Sequence, residues 1–297
     1  MIMKLSTDHV FICKTFGLEE GLQLYKDVGF DNIDYAFLVY DTKAPQFDEN
    51  YREQMRYVKS LLKDIGLGCD QTHSPIPVSY GPQILRYGQK LDISNPRFAD
   101  MVRTLESTSL IGATRSVFHG LATPQGGSSK QYMDFNYAYF KALEPYAKEY
   151  GVKIGIENLE QISGNMYKVD WQEELLDRLD SDQFYALVDL GHAAASELPP
   201  EEHLRRIKRG RVQGLHFHDF NTQEAHVVPG LGESDWDKVA AALAEIDYEG
   251  NLTLEVATHK LFPKNIMKEA FKFTAESGKT FVRKFEKAKE ELKKNAK

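Results

Sequence analysis

The sequence predicts an α/β protein with the fold of a (β/α)8 TIM barrel in a single domain. Short apolar segments typical of strands buried on both faces alternate with longer segments of helical period, and the alternation recurs about eight times in 297 residues. No glycine-rich phosphate loop of either common type is present, which disfavours an open nucleotide-binding sheet. Polar residues stand at the carboxyl ends of the apolar segments, where barrels of this kind carry their reactive groups.

The first half of the chain supplies four predicted strands, which are HVFICK, NIDYAFLVY, GCDQTHSP and RSVFHGL. Each is followed by an amphipathic segment that we expect to form a helix. These segments are LEEGLQLYKDVGF, NYREQMRYVKSLLKDIGL, PRFADMVRTLESTSLIG and NYAYFKALEPYAKEYGV. Glycines directly after them, such as Gly66 and Gly112, predict left-handed helix ends.

The second half continues the same alternation. Its predicted strands are KIGIENLE, FYALVDLGH, VQGLHFHDF and NLTLEVA, and its helices are WQEELLDRLD, PEEHLRRIKRG, DWDKVAAALAEI and a last one from about Ile266. We place the barrel in residues 1–280. Residues 281–297 have the composition of a charged helical extension at the C-terminus.

Composition narrows the class of protein. A formal net charge of −7 and a pI near 5.8 argue against a main affinity for nucleic acid. Apolar stretches are too short for a secretion signal or a membrane span, so the predicted location is the cytoplasm, without a membrane partner. Cys13 and Cys69 fall in predicted strands and are too few for a disulfide framework or a cysteine-ligated zinc site. We expect them to be buried thiols.

Four acidic or histidine residues end successive predicted strands. They are Glu157, Asp189, His216 and Glu255. A carboxylate at the end of an apolar strand is costly unless a counter-charge or a metal ion accompanies it. For any single residue, a hydrogen bond to a neighbouring loop is an adequate explanation, but four at similar strand depth predict one divalent metal site. The oxygen-rich set favours Mn²⁺, with Mg²⁺, Co²⁺ and Zn²⁺ as alternatives.

Histidines are concentrated at the same predicted edge of the sheet. Six of the nine lie at strand ends or in the loop after the seventh strand, a distribution that scatter would not readily produce. His216 and His218 both belong to the seventh strand, and two residues apart they could share one face. The other four are His73, His119, His192 and His226.

In this order and spacing, these segments resemble the xylose isomerase-like barrels, which include sugar isomerases, ketose 3-epimerases, inosose dehydratases and trinuclear-zinc apurinic endonucleases. The matching pieces are the glutamate of IGIENLE, the motifs VDLGH, HFHD and HVVPGLG, and the glutamate of LTLEV. The resemblance extends from His73 to Glu255. It implies that His192 contacts a substrate oxygen and allows the same role for His226, and we predict His73 and His119 as further substrate contacts. It also implies that the ligand of the HFHD motif is His216, because the family uses its spacing to Asp219.

The resemblance also implies roles for the acidic residues. Glu157, Asp189 and Glu255 would join His216 as metal ligands, and Glu157 and Glu255 would double as the catalytic proton-transfer pair. Two positions depart from the ketose 3-epimerases, which carry a glutamate where this chain has Ser163 and an arginine where it has Thr222. These departures weaken the expectation of a free-ketose 3-epimerase and leave the metal site intact.

The resulting prediction is a metal-dependent isomerase or epimerase that moves a proton next to the carbonyl of a sugar or a polyol ketone. A lyase of the same fold, either an inosose-type dehydratase or a C-glycoside-cleaving enzyme, is an alternative because it starts with the same step. The trinuclear-zinc endonuclease is another, with Glu224 and His226 among its candidate ligands. A noncatalytic barrel is the alternative outside enzymes. The predicted partner is a small carbohydrate, with a homo-oligomer as an open question.

Overall fold

The structure, a computed structural model, describes residues 3–37, 49–75, 91–121, 129–161, 166–196, 198–221, 226–257 and 262–295. Its eight strands are parallel and pair in sequence order, and β8 closes the barrel against β1. This confirms the predicted (β/α)8 barrel. The strands are Leu5–Asp8 (β1), Asn32–Ala36 (β2), Gly68–His73 (β3), Arg115–Phe118 (β4), Lys153–Glu157 (β5), Phe184–Asp189 (β6), Val212–Phe217 (β7) and Leu252–Leu254 (β8).

Helices follow the strands in the alternation that the sequence predicts. Asn95 starts one of them, since its side chain accepts a hydrogen bond from Arg97 N–H and Pro96 occupies the first helical position. The helices of the described ranges are Val10–Phe16 (α1), Leu18–Val28 (α2), Tyr51–Ile65 (α3), Pro96–Ile111 (α4), Ser129–Tyr150 (α5), Val169–Leu179 (α6), Leu190–Ala194 (α7), Pro200–Arg206 (α8), Trp236–Glu245 (α9) and Met267–Asn295 (α10).

The first strand differs from the prediction. HVFICK is predicted as a strand, and this is wrong, because residues Val10–Phe16 form α1 and the strand is the preceding segment, Leu5–Asp8. The Asp8 side chain accepts a hydrogen bond from Val10 N–H at 3.1 Å and so helps to start the helix. The strand sequence LSTD is mostly polar, which hides it from a search for apolar runs. Cys13 therefore lies on a helix.

The inside of the barrel has its own small apolar cluster. Val117, Tyr185 and Leu187 are fully buried and separate from the large core that lies between strands and helices. Because side chains alternate along a strand, Tyr185 and Leu187 share a face with Asp189 and point into the barrel. Gly155 leaves the space for the tyrosine, since a Cβ there would lie 2.5 Å from its ring. This cluster forms an apolar floor beneath the polar strand ends.

The C-terminal helix packs on the barrel. α10 continues without a break through residue 280, and both Phe281 and Phe285 are buried. The Phe281 ring lies 4.4 Å from that of Phe217 on β7 and 5.9 Å from that of Trp236 on α9, measured between centroids. The first turns beyond residue 280 thus contribute to the core. Among the described ranges, no helix combines the length and the apolar character needed to cross a membrane.

Candidate metal-binding active site

The four predicted metal ligands lie together at the carboxyl-terminal mouth of the barrel. Each stands at or beside the end of its strand, and Asp189 and His216 are direct neighbours in the pairing of β6 with β7. One ligand atom of each residue lies within 4.8 Å of the others. Strand register and barrel closure bring the four groups together. They are Glu157, Asp189, His216 and Glu255.

Two carboxylates meet at Nδ1 of His216. This nitrogen lies 2.8 Å from Glu157 Oε1, 2.9 Å from Glu255 Oε2 and 4.0 Å from Asp189 Oδ2. One N–H can donate to only one of these oxygens, and the buried Glu255 Oε2 has no aligned hydrogen-bond donor among the described residues. Buried anionic oxygens require a positive charge, and a cation placed between them satisfies several at once.

Burial and neighbouring charges shift the pKa values of these groups in opposite directions. Burial raises the pKa of Glu157, but the charges of His216 and His119 outweigh it and hold that pKa well below its usual value. The pKa of Glu255 is also held low, with His216 as the main opposing charge. Burial lowers the pKa of His216, and the two glutamates raise it well above its usual value. The site therefore needs a positive charge at this imidazole, which a proton or a metal ion can supply.

Asp189 is positioned by its neighbours. Its Oδ1 accepts a hydrogen bond from His192 N–H at 2.6 Å, and this bond caps α7. The same oxygen lies 3.0 Å from His218 Nε2. Asn158, directly after β5, bonds the backbone N–H and carbonyl of Asp189 at 2.8 and 2.9 Å. His218 Nδ1 lies 3.0 Å from the backbone nitrogen of His226 and 3.1 Å from the carbonyl oxygen of Asp219, and its Nε2 faces the carboxylate of Asp189. Burial raises the pKa of Asp189, but the imidazoles of His192 and His218 outweigh it and lower that pKa below its usual value.

The predicted substrate-contacting histidines surround this centre in two groups. In the first, His73 Nε2 and His119 Nε2 lie 3.3 and 2.9 Å from the same oxygen, Glu157 Oε2. Together with the glutamate, they form a second cluster whose ligand atoms lie within 4.8 Å of one another. The second group consists of His192, His218 and His226. One ring nitrogen of each lies within 4.8 Å of the others.

Backbone carbonyls fix one ring nitrogen in three of these histidines. His73 Nδ1 donates to the carbonyl of the next residue at 2.8 Å, His192 Nδ1 to that of Asn158 at 3.1 Å, and His226 Nδ1 to that of Glu255 at 3.1 Å. A carbonyl can only accept, so the neutral ring carries its lone pair on Nε2. In the first two histidines, Nε2 then faces a carboxylate oxygen at 3.3 Å. Metal-ligating histidines are oriented in this way, and the residues present fit divalent metal binding.

His192 and His226 differ in charge although their rings are neighbours. Burial lowers the pKa of His192, but Asp189 and Glu157 raise it to about 9. Burial lowers the pKa of His226 to about 4, and His218 contributes in the same direction. At neutral pH and without a metal ion, the first is therefore a cation and the second is neutral.

Two carboxylates in the barrel interior are absent from the predicted site. Asp8 ends β1 and Asp34 lies in β2, and both are buried. Burial raises the pKa of Asp8 well above its usual value, and the charges of Glu255 and Asp34 raise it further. An acid within the apolar run NIDYAF is a usable signal for Asp34, whereas Asp8 is hidden because the sequence predicts the first strand in HVFICK. Three residues weighed in the sequence lie outside the described ranges, namely Ser163, Thr222 and Glu224.

Comparison with known families agrees with this geometry. Residues 22–277 match the family model described as the xylose isomerase-like TIM barrel. The chain belongs to the xylose isomerase-like TIM barrel family. An uncharacterised protein of Methanocaldococcus jannaschii is 30% identical over 127 residues, which are 41% of this chain and 43% of that protein, so the match spans less than half of its length. An uncharacterised protein of Sinorhizobium fredii is 28% identical over 261 residues, 80% of this chain and 81% of the other.

Solved structures share the fold at low identity. A D-psicose 3-epimerase from Clostridium cellulolyticum, solved with D-tagatose, superposes with a TM-score of 0.77 at 14% identity, covering 94% of this chain and 99% of the other. A 3-keto-D-glucoside 4-epimerase from E. coli gives a TM-score of 0.71 at 15% identity, over 94% and 99% of the two chains. These likenesses show that the chain shares its fold with the two structures.

Proposed function

We propose that this protein is a divalent-metal-dependent isomerase or epimerase of a sugar or a related polyol ketone. One observation carries the proposal, which is that Glu157 on β5 and Glu255 after β8 approach the same nitrogen of His216 at 2.8 and 2.9 Å. The two carboxylates come from strands on either side of β6 and β7, so they flank the centre. Acid and base groups on two sides of one carbon are what proton exchange at that carbon requires.

The roles of the side chains follow from their placement. Glu157, Asp189, His216 and Glu255 would hold the metal ion. A bound divalent ion would polarise the substrate carbonyl and its adjacent hydroxyl, which lowers the cost of removing the neighbouring proton. One glutamate takes this proton and the other returns a proton from the opposite side. His192, whose Nδ1 donates to the carbonyl of Asn158, would offer Nε2 to a substrate oxygen.

The mechanism is tested by replacing each glutamate with glutamine. Glu157→Gln and Glu255→Gln should abolish deuterium incorporation from deuterated water into the ketoses and keto-glycosides that the wild type accepts, with the fold retained by circular dichroism. Asp70→Asn is the control, because Asp70 lies near the start of β3 at the opposite end of the barrel and bonds Asn251. Exchange at the wild-type rate in either glutamine variant would exclude the mechanism. Product analysis of the wild type separates the lyase alternative from isomerisation.

A second candidate function is the hydrolytic chemistry of the multi-zinc apurinic endonucleases. The observation in its favour is that further clusters of potential ligands lie beside the first, among them one formed by His73, His119 and Glu157 and one formed by three histidines. The net charge of −7 opposes DNA binding. Metal analysis decides between the candidates: one ion per chain supports the isomerase, and two or three zinc ions support the hydrolase.

A further inference from the structure

Asp34 is a buried carboxylate that reaches the metal centre from the neighbouring part of the barrel. It lies on β2, and its side chain is 1% exposed. Asp34 Oδ2 lies 3.3 Å from His216 Nε2, the ring nitrogen that points away from Glu157 and Glu255. The same oxygen accepts a hydrogen bond from Gln71 Nε2 on β3 at 2.6 Å. Gln71 Nε2 also lies 3.2 Å from His216 Nε2, so the side chains from β2, β3 and β7 form a closed polar triangle.

The two nitrogens of His216 face different partners, and this fixes what Asp34 can do. Nδ1 faces the two glutamates, and only its lone pair can bind a metal ion there. The ring proton must then lie on Nε2, where Asp34 Oδ2 accepts it. A carboxylate behind a ligating histidine fixes the tautomer and the ring orientation and makes the ligand more basic.

We propose that Asp34 is a positioning residue for the metal centre, which holds His216 in the tautomer that leaves Nδ1 free for the ion. Gln71 keeps the carboxylate oriented by occupying the same oxygen. The assignment rests on the proposed function, because it presupposes that His216 binds a metal ion.

A purely structural role explains the contacts of Asp34 less well. Among the described residues, the hydrogen bonds of its carboxylate are those to Gln71 and His216, and Oδ1 is buried without a partner. Burying a carboxylate with one oxygen unpaired is unfavourable, and an amide or an apolar residue would fill this position at lower cost. The observed arrangement is favourable when the negative charge of Asp34 orients the imidazole of His216 beside it.

The test is the affinity for Mn²⁺ and Zn²⁺, measured by calorimetry or chelator competition on the metal-stripped full-length protein. Asp34→Ala should weaken binding by roughly 10- to 100-fold relative to wild type. Asp70→Asn is the matched control, because it removes a carboxylate from the adjacent strand without touching His216, and its affinity should equal that of wild type. Should Asp34→Ala fail to fold, Asp34→Asn decides, since it keeps the size of the side chain and removes only the charge.

A second readout reports the tautomer directly. In the Zn²⁺-loaded wild type, the Nε2 proton of His216 should give a slowly exchanging imidazole signal in nitrogen-edited NMR, and Asp34→Ala should lose this protection. Equal metal affinity in wild type and both Asp34 variants would overturn the positioning role and leave the proposed function standing. A wild type that binds neither ion would overturn both.

Discussion

Asp219, just beyond the end of β7, accepts a hydrogen bond from the indole Nε1 of Trp236 at 2.9 Å. The same oxygen accepts the backbone N–H groups of Gly230 and Gly232, each at 3.0 Å, and the other oxygen accepts that of Ser234 at 3.3 Å. A Cβ on Gly232 would lie 2.3 Å from the carboxylate, so this position requires glycine. The HVVPGLG segment is thus folded around a buried carboxylate, and the Trp236 indole packs beside it.

Replacing Asp219 should destabilise the protein strongly. Asp219→Ala leaves at least four donors without their acceptor, and we expect the free energy of unfolding to fall by about 3 kcal/mol or more in urea denaturation. Trp236→Phe is the comparison, because it removes a single donor and keeps most of the ring, and it should cost roughly 1–2 kcal/mol. Equal losses in the two variants would contradict a central role for the carboxylate.

Metal binding should stabilise the fold measurably. If the centre binds a divalent ion, free Mn²⁺ at 100 times its dissociation constant should add about 2.7 kcal/mol to the free energy of unfolding and raise the melting temperature. His216→Ala should abolish this dependence, because it removes the ligand on which both glutamates converge. A melting temperature of wild type that is identical with Mn²⁺ and with a chelator would count against the metal site.

His203 should make stability depend on pH. Burial lowers the pKa of His203 to about 4, whereas the unfolded chain has the usual value of 6.5. The unfolded state then binds more protons between these values, so this contribution to stability is complete above pH 6.5 and is lost as the pH falls towards 4. His203→Met should reduce the loss of stability between pH 7 and pH 5 by about 2 kcal/mol. Nε2 has no hydrogen-bond partner among the described residues, so the replacement breaks no bond at that atom.

The control for this experiment is Leu204→Met, a buried position on the same helix without a titrating group. It should keep the pH dependence of wild type even if it lowers stability overall. Identical slopes for all three proteins would show that His203 titrates normally.

The C-terminal helix should contribute to stability beyond residue 280. Phe285 is 2% exposed, and Phe285→Ala should lower the free energy of unfolding by about 3–5 kcal/mol. Leu292 on the same helix is 40% exposed, and Leu292→Ala should change it by no more than about 0.5 kcal/mol. Two small effects would instead support a separate, solvated extension from residue 281.

The alternation of strands and helices and the polar residues at the strand ends can be predicted from the sequence, because both are local properties. Strands form at the apolar runs IGIENLE, YALVDLGH and GLHFHDF, close to the predicted bounds. The prediction succeeds there because a strand that is buried on both faces must be apolar. Their terminal residues, Glu157, Asp189 and His216, stand out because each is polar at the end of such a run. The first strand is not recognisable from the sequence, because LSTD is mostly polar although all four of its residues are buried.

The sequence by itself determined the alternation of strands and helices, and with it the edge at which the polar strand ends meet. Only the tertiary structure decided which atoms face one another. Asp34 and His216 are 182 positions apart, and no local pattern links the carboxylate to Nε2 of that ring at 3.3 Å. The same holds for the histidines that share Glu157 Oε2. Barrel closure and strand register set these distances, and both depend on how all eight strands pack at once.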